Sequence, residues 1–357
     1  MKSIVAVALM LAAAFWPSAS RADPTVVVDY DGVASEYAQI QDGIDAVDDG
    51  GTVWVIASMS GGAPVAFRGA GNRALDFGGK NIALRGTGPQ WMTVDCEGAD
   101  RALLLSAGTD STSLITGFTF VNGSAADGGG AVKCLGDCPS IVDCVFRDNS
   151  ASVGGAILLS QGPARMTDCA FIGNSSTGHG GAIRANNSDL TLEACTFSAN
   201  TADGGGGLWM DNSDLTMRLC TLVDNEGSPG SAVGFSGSTG TIEQCVLAFG
   251  RGGRSVYGGT PETFHSCVFG NANGDDLPGT AHDNLFTDPL VCDLYGAGGN
   301  INVSLCSNSP CLPSGNDWVL QIGSRAQGCG DCDSPTEATS WGGIKALYGR
   351  QEASESP

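Results

Sequence analysis

Two aspartates stand at equivalent positions in consecutive copies of a repeated sequence motif. Asp143 and Asp168 each come directly before a cysteine, and Arg184 follows a short distance along the chain. Carboxylate oxygens are the ligands that Ca²⁺ prefers, so two stacked carboxylates form a candidate calcium site, although a thin one. The next equivalent positions carry no carboxylate: they are Ala194, Leu219, Gln244 and Ser266. We therefore expect no bound cofactor, with calcium as the alternative.

A second set of side chains could bind a ligand rather than react with one. Its members follow the glycine-rich part of successive repeats, at positions that strand alternation places outside, and they are Lys133, Arg184, Trp209 and Tyr257. Aromatic and arginine side chains in a row on a flat strand surface can stack on sugar rings or contact a partner protein. Single exposed aromatic residues are also ordinary on protein surfaces, and this is the competing interpretation.

The chain contains 14 cysteines, which separate into groups. Six recur within the repeats: Cys144, Cys169, Cys195, Cys220, Cys245 and Cys267. We expect one inward column of free thiols that pack as small hydrophobic groups, because parallel side chains on adjacent strands keep their Cβ atoms too far apart for a disulfide. A string of metal-bound thiolates is the alternative, but it needs converging tetrahedral ligands. Cys134 and Cys138 can close a small disulfide, whereas the pairing of the five C-terminal cysteines stays open.

These candidates belong to a motif that is repeated about six times between Asp127 and Asn271. Each copy has a Gly-Gly pair, an aliphatic strand, a Cys-x-Phe step and an asparagine, as in 154–174 and 180–200. A fixed period of about 25 residues indicates a solenoid. Gly, Asn, Asp and Ser interrupt each copy so often that no ordinary helix fits. The repeat is therefore predicted to consist of short strands joined by turns.

Stacking one repeat per coil places like residues about 4.8 Å apart, in columns that run along the solenoid. One inward column is aromatic or aliphatic and is predicted to be core: Phe120, Phe146, Phe171, Phe197, Leu222, Leu247 and Phe269. A second inward column lies three residues before each repeat cysteine: Ile141, Met166, Leu192, Met217, Ile242 and Phe264. The asparagine that ends each repeat is predicted to pass amide hydrogen bonds from coil to coil.

The N-terminus predicts export. Residues 1–22 combine Lys2, an apolar run and a small-residue cleavage site, which is typical of a secretory signal peptide, and we expect no transmembrane segment in the mature chain. The whole chain carries 17 basic against 38 acidic residues, a formal net charge of −21. This negative charge disfavours nucleic acid and anionic membrane surfaces as partners.

The domain organisation follows from these patterns. Residues 23–48 are predicted to form an N-terminal cap whose amphipathic helix, over 36–47, covers the open end of the solenoid. The solenoid is predicted over 49–305, with about 10 to 11 coils. Residues 306–357 are predicted to form a loop-rich cap and tail that contain Cys and Pro, and 341–348 has one apolar helix face.

Two groups of motifs resemble known families. The segment 37–45 (YxxIQxxID) followed by 51–55 (GTVWV) resembles the entry segment of pectin-lyase-like right-handed parallel β-helix proteins. The GGAI and FxxN pairs in 154–174 and 180–200 are similar to the repeats of the polymorphic outer membrane protein family. Together these resemblances cover about residues 30 to 305 and imply an all-β fold, a right-handed parallel β-helix.

Enzymes of this family imply two possible chemistries. Polysaccharide lyases of this fold hold Ca²⁺ against uronate groups with clustered carboxylates and use an Arg or Lys base. This resemblance would assign Asp143 and Asp168 to calcium, with Arg165 and Arg184 as the arginines near them along the chain. Glycoside hydrolases of this fold carry a Gly-His-Gly motif, here around His179, together with Asp motifs and an Arg-Ile-Lys motif that this sequence lacks. Because glycoside hydrolysis needs a pair of carboxylates, His179 is interpreted as a turn residue.

The patterns together favour a non-catalytic protein with a structural, adhesive or glycan-binding role. We expect it to be secreted by a bacterium, to lie in the extracellular space or on the outer cell surface, and to contact an extracellular polysaccharide or a cell-surface partner. A lyase or glycoside hydrolase that acts on an extracellular, uronate-containing polysaccharide is the alternative function.

Overall fold

The computed structural model describes residues 25–30, 33–56, 64–106, 108–293, 302–324 and 327–330. The predicted signal peptide, 1–22, and the apolar tail, 341–348, lie outside the described residues and stay predictions. The described chain winds into a parallel β-solenoid whose successive turns add strands to three sheets.

The strands of the twelve-stranded sheet are β1 (Thr25–Tyr30), β2 (Val33–Tyr37), β3 (Thr52–Ile56), β5 (Ala83–Gly86), β8 (Leu114–Thr116), β12 (Ser140–Val142), β16 (Ala164–Thr167), β20 (Leu190–Glu193), β23 (Asp214–Arg218), β26 (Thr239–Glu243), β29 (Glu262–Phe264) and β31 (Thr280–His282). Those of the nine-stranded sheet are β4 (Val65–Phe67), β6 (Met92–Asp95), β9 (Thr119–Val121), β13 (Val145–Arg147), β17 (Ala170–Ile172), β21 (Thr196–Ser198), β24 (Thr221–Val223), β27 (Val246–Ala248) and β30 (Cys267–Phe269).

The strands of the seven-stranded sheet are β7 (Leu103–Leu105), β11 (Val132–Leu135), β15 (Ile157–Ser160), β19 (Ile183–Asn186), β22 (Leu208–Asp211), β25 (Val233–Ser236) and β28 (Val256–Tyr257). A short sheet at one corner holds β10 (Ser124–Ala125), β14 (Ser150–Ala151) and β18 (Ser175–Ser176). After the solenoid, β32 (Val291–Asp293) and β33 (Asn302–Leu305) pair with each other in antiparallel orientation.

The predicted fold class, an all-β parallel solenoid, is confirmed, but the solenoid has about eight turns rather than about 10 to 11. The difference arises partly near the N-terminus, where residues 74–77, inside the predicted solenoid, form no strand. Ala74 instead adopts a left-handed turn conformation, with φ of 51°, and Leu75 makes only an isolated bridge to Leu103. Turns replace strands in these first coils.

The N-terminal cap begins with a β-hairpin that the sequence pattern did not indicate. Strand β1 pairs with β3, and β2 pairs with β1, both in antiparallel orientation. The hairpin therefore extends the twelve-stranded sheet at its N-terminal edge and satisfies the backbone groups of β3 that would otherwise face solvent.

The helix of the cap is shorter than the predicted 36–47. It is α1 (Ile40–Ala46), and Tyr37 lies in β2 because its backbone pairs with β1. Its residues Ile40 and Ile44 are fully buried. Tertiary pairing thus overrides the local helical pattern at the N-terminal end of this element. Within the described residues, no helix has the length and apolar character that crossing a membrane requires.

The aromatic column in the interior is confirmed. Phe120, Phe146, Phe171 and Phe197 are fully buried, and successive ring centroids lie 5.3, 4.9 and 4.6 Å apart with the rings stacked. These distances follow the spacing of the strands that carry the rings. The column continues through Leu222 and Leu247, which pair in register with the neighbouring strands.

The asparagine ladder is confirmed as well. The side-chain amides of Asn149, Asn174 and Asn200 each donate, at 2.9 Å, to the Oδ1 atom of the asparagine one coil further along, ending at Asn225. Each Nδ2 also donates to a backbone carbonyl of the preceding coil, as Asn174 does to Phe146 at 3.0 Å. Because all four asparagines are buried, the ladder supplies the partners that these amides need.

Two further features maintain the tight stacking of the coils. A serine ladder, not predicted from the sequence, links backbone N–H groups to the hydroxyls of the next coil: Ser188 to Ser213 and Ser213 to Ser238, both at 2.9 Å. The second glycine of each Gly-Gly pair lies against the neighbouring coil, so that a Cβ atom on Gly155 would come 2.1 Å from the carbonyl oxygen of Gly181. A side chain there would force the two coils apart.

The last repeat is displaced by one residue from the predicted columns. Val268, not Phe269, pairs with Leu247 and enters the aromatic column. Thr263, not Phe264, takes the inward place in the preceding strand and is fully buried. Because side chains alternate with period two, a shift of one residue moves every predicted inward side chain to the outer face.

The cysteine column ends one coil earlier than predicted for the same reason. Its first five members are buried free thiols: Cys144, Cys169, Cys195, Cys220 and Cys245. In the next coil Ser266 occupies the column, where its Oγ accepts a hydrogen bond from the backbone N–H of Cys245 at 3.1 Å. Cys267 faces outward on the nine-stranded sheet, where it aligns with Val246.

The described part of the C-terminal segment, 302–324, consists largely of loops and packs sideways on the solenoid. Residues 302–324 cover the outer face of the nine-stranded sheet in its last coils and form a second core with it. Ile322 and Leu312 of this segment pack in the same cluster as Val246 and Val223. The outer face of this sheet is therefore buried at its C-terminal end.

Interrupting the asparagine ladder should destabilise the protein strongly. In Asn174→Ala, the buried N–H groups of Asn149 lose their acceptor and the carbonyl of Phe146 loses a donor. We expect a loss of about 3 kcal/mol in the free energy of unfolding, because buried polar groups without partners are costly. Urea denaturation measures this loss. Asn273→Ala, at an exposed asparagine, is the control and should cost less than about 0.5 kcal/mol; equal losses in the two variants would refute the role of the ladder.

Candidate functional site

The structure brings the four predicted ligand-binding residues onto one face. We call this the outer column: the outward residues of the seven-stranded sheet that pair in register from coil to coil, namely Lys133, Leu158, Arg184, Trp209, Gly234 and Tyr257. Neighbouring members are one strand spacing apart, about 4.8 Å. The outer column therefore spans six coils of a rigid parallel sheet.

Trp209 was predicted to lie exposed, but only 7% of its surface is accessible. The next coil carries Gly234 at the aligned position, and the indole lies flat over it: a Cβ atom on Gly234 would come 2.3 Å from Cε3 of Trp209. The ring of His179 packs against the indole, with 4.2 Å between the ring centroids. The absence of a side chain in one coil thus buries the aromatic residue of its neighbour.

Arg184 and Trp209 share one carboxylate. Asp211 accepts hydrogen bonds from Nε of Arg184 at 2.8 Å and from the indole Nε1 of Trp209 at 2.9 Å. The side chains of Arg184 and Asp211 remain 27% and 15% exposed, so the ion pair is accessible from solvent. Asp211 was not singled out in the sequence, although its position two residues after Trp209 on one strand predicts the same outward face.

Lys133 is also held by an aspartate. Its Nζ lies 2.7 Å from Asp127, which also forms an ion pair with the buried Arg101. The hydrogen bond from Lys133 is the main cause that lowers the pKa of the Asp127 carboxyl; burial opposes it, and the hydrogen bond and positive charge of Arg101 lower the pKa further. The cation at this end of the outer column is therefore neutralised locally.

Tyr257 is the most accessible aromatic residue of the outer column. It lies in β28, the last strand of the seven-stranded sheet, and 46% of its surface is exposed. The aligned residue in the preceding coil is Gly234, over which the Trp209 indole lies. Tyr257 thus provides an open aromatic surface next to a region of the sheet that is already aromatic.

The other predicted candidates lie on a different side of the solenoid. Asp143 and Asp168 are exposed residues at turns between the twelve-stranded and nine-stranded sheets, with φ of 50° and 54°. In the last coil the equivalent turn residue is His265, with φ of 49°, rather than Ser266. Aspartate tolerates this left-handed conformation better than most residues, which gives both positions a conformational role.

The arginines expected to act with these aspartates are engaged elsewhere. Arg165 forms an ion pair with Glu193 at 2.8 Å, and Arg184 belongs to the outer column. Asp143 and Asp168 therefore share no face with Arg184, and the residues that the lyase resemblance assigned are not brought together. His179 directly precedes Gly180, where its backbone forms an isolated bridge with Gly204, and its ring contacts Trp209.

Among the residues that the structure describes, one group of three potential metal ligands converges within 4.8 Å: Cys292, Cys306 and Cys329. Cys292 and Cys329 are joined in a disulfide, which removes their thiolates as ligands. A disulfide also joins Cys134 of β11 to the buried Cys138. The disulfide of this cluster therefore links strand β32 to Cys329, beyond the segment 302–324.

Comparison with known proteins identifies the solenoid. Residues 130–289 match the family model described as right handed beta helix region. This part of the chain is a right-handed β-helix. The fold expected from the resemblance to pectin-lyase-like proteins is thereby confirmed, whereas the similarity to polymorphic outer membrane protein repeats remains a resemblance. Neither the curated proteins nor the solved structures contain a significant match to the chain.

The two aromatic residues of the outer column should differ in their effect on stability. Trp209→Ala removes a buried ring and leaves a cavity beside His179 and Gly234, so we expect a loss of about 3 kcal/mol in the free energy of unfolding. Tyr257→Ala should cost less than about 1 kcal/mol, because the ring is half exposed. Urea denaturation of both variants checks this, and similar losses in the two would contradict the burial of Trp209.

The contact between Lys133 and Asp127 should depend on pH. Because the pKa of Asp127 is lowered in the folded state, its ionised form stabilises the fold above the ordinary value of 3.8, and this contribution is lost as the pH falls through the lowered pKa. Lys133→Met should therefore be less stable than the wild type at neutral pH, and the difference should shrink at about pH 3. Denaturation at the two pH values tests this; an undiminished difference in acid would show that the charge pair is not its cause.

Proposed function

We propose that the protein is a secreted or cell-surface β-helix protein of a bacterium that binds an extracellular polysaccharide through the outer column and does not cleave it. The observation that carries this proposal is the half-exposed Tyr257 ring, fixed on a parallel sheet in line with the Arg184–Asp211 ion pair. The aromatic face and the oriented polar groups lie three strand spacings apart along the outer column. This arrangement suits successive sugar rings of a polysaccharide, which have apolar C–H faces and hydroxyl edges.

Rigidity supports this assignment. Tyr257 projects from a strand whose neighbour, β25, belongs to the packed solenoid, so little conformational entropy of the backbone would be lost on binding. The guanidinium of Arg184 and the carboxylate of Asp211 orient each other at 2.7 Å and leave part of each group open to solvent. Asn186, which aligns with Asp211 on the neighbouring strand, adds an amide at the same outward level. These groups can donate to and accept from sugar hydroxyls.

The overall charge favours a neutral polysaccharide. With 38 acidic against 17 basic residues, the surface repels a uronate polymer over distances comparable to the Debye length, about 10 Å at ordinary salt. Arg184 and Lys133, two cations of the outer column, already pair with Asp211 and Asp127. A ligand that carries hydroxyls rather than carboxylates avoids competition with these aspartates.

Extracellular placement has two supports. Residues 1–22 have the pattern of a secretory signal peptide. The disulfides Cys134–Cys138 and Cys292–Cys329 are of the kind that persist in oxidising compartments. Both observations agree with a protein that is exported before it meets its ligand.

The test is binding of the mature protein to a panel of neutral and acidic polysaccharides, with and without Ca²⁺, followed by affinity electrophoresis and by assays for reducing ends and unsaturated uronates. We expect retention by a neutral polysaccharide without cleavage. Tyr257→Ala should weaken it about fivefold, since stacking on an aromatic ring is worth about 1 kcal/mol.

The matched control is Trp91→Ala, which removes an exposed aromatic residue from the turn that precedes β6. This variant should bind as the wild type does. Equal weakening in the two variants would refute the outer column as the binding surface. Formation of unsaturated products or of new reducing ends would refute the non-catalytic function.

A further inference from the structure

The C-terminal segment 302–324 is attached to the solenoid by hydrogen bonds as well as by apolar contacts. The backbone N–H of Ser324 donates to Oγ1 of Thr221 at 2.9 Å, and that of Gly323 donates to the carbonyl oxygen of Gln244 at 2.7 Å. These bonds place the segment across the outer face of strands β24 and β27. A covalent link at the same interface would have to join this segment to an outward residue of the nine-stranded sheet.

Cys267 is such a residue. The one-residue shift of the last repeat turns it away from the cysteine column and into the second core, where it is fully buried. Cys311 of the C-terminal segment is also fully buried and belongs to the same core as Cys267. Both side chains are free thiols in the structure.

We propose that Cys267 and Cys311 are a disulfide site that fastens the C-terminal segment to the last coil of the β-helix in the exported protein. The two residues come from elements that are not neighbouring coils, so the strand spacing does not hold their Cβ atoms apart. Cys311 is placed by local contacts within its loop: its N–H donates to Oγ of Ser309 at 3.1 Å, and its carbonyl accepts from the N–H of Ile322 at 2.9 Å.

The cysteine column shows why this pair differs from the others. Cys220 and Cys245 directly precede the adjacent parallel strands β24 and β27, and the backbone N–H of Cys220 lies 3.4 Å from the sulfur of Cys245. Parallel strands keep Cβ atoms about 4.8 Å apart, which is beyond the usual span of a disulfide. Cys267 is the one repeat cysteine that leaves this geometry.

The reaction is a thiol–disulfide exchange with a disulfide-bearing oxidant, such as oxidised glutathione or a disulfide oxidoreductase. The thiols of Cys267 and Cys311 lose two protons and two electrons and form one S–S bond, and the oxidant's disulfide is reduced to two thiols. In the folded protein, contact with Cys311 and burial raise the pKa of the Cys267 thiol. Because the thiolate is the reactive form, the bond should form during folding, before the segment closes over it.

Peptide mapping of the exported full-length protein tests the proposal. The protein is denatured in acid without reductant, alkylated, and digested with chymotrypsin, which cuts after Phe264, Phe269, Leu305 and Trp318. We expect the peptide 265–269, which contains Cys267, to be linked to the peptide 306–318. Fragmentation of the linked pair then distinguishes Cys311 from Cys306 within the second peptide.

Thiol counting provides the controls. In Cys311→Ser, one additional thiol, that of Cys267, should become alkylated. In Cys96→Ser, which removes another buried free cysteine, the count should fall by one and the linked peptides should persist. Recovery of Cys267 and Cys311 as alkylated thiols from the exported wild-type protein would overturn the proposal, as would a link from Cys267 to any other cysteine.

Discussion

Parallel strands can be stacked only at one spacing, and this spacing controls nearly every contact in the molecule. The amides of Asn149, Asn174, Asn200 and Asn225 form an unbroken ladder because one strand spacing is also the reach of one hydrogen bond between identical side chains. The phenylalanine rings of the same coils stack for the same reason. A residue that departs from the repeat therefore affects not one contact but a whole column.

The last coil shows the consequence of such a departure. The step along the column from Cys245 to Ser266 is 21 residues, against 25 from Cys220 to Cys245. The Cys-x-Phe motif therefore lies one residue beyond its usual place, and Cys267 joins the outer surface. Residues 302–324 cover that surface, and apolar side chains of this segment pack against the nine-stranded sheet in the second core. The same shift that ends the cysteine column thus creates the attachment site of the C-terminal segment.

The outer column illustrates a different constraint. Its charged members are paired with carboxylates, Arg184 with Asp211 and Lys133 with Asp127, so the cationic character suggested by their sequence is largely neutralised. Its aromatic members are divided by their neighbours: Gly234 allows Trp209 to lie flat and become buried, whereas Tyr257 stands at the end of the sheet. The proposed binding of a polysaccharide therefore depends on the exposed ring of Tyr257 and on the Arg184–Asp211 pair, whose groups already orient each other.

Much of the fold follows from the sequence because each copy of the repeat makes the same contacts as the copies beside it. The period, the Gly-Gly pairs and the recurring Cys, Phe and Asn positions predict coils, inward columns and an amide ladder, since each coil needs the same contacts as the one before it. The alignment of Lys133, Arg184, Trp209 and Tyr257 on one face follows from the same regularity.

Only the tertiary structure decided the places where the regularity ends. The N-terminal hairpin forms because β3 offers an open edge, and the shift at Ser266 arises where the repeat shortens. The burial of Trp209 depends on a glycine 25 residues away in the chain but one strand away in space. The pairing of Cys292 with Cys329 likewise depends on how loops pack. Such contacts depend on residues that are close in space, and the repeat pattern predicts them only where every neighbouring coil follows the repeat.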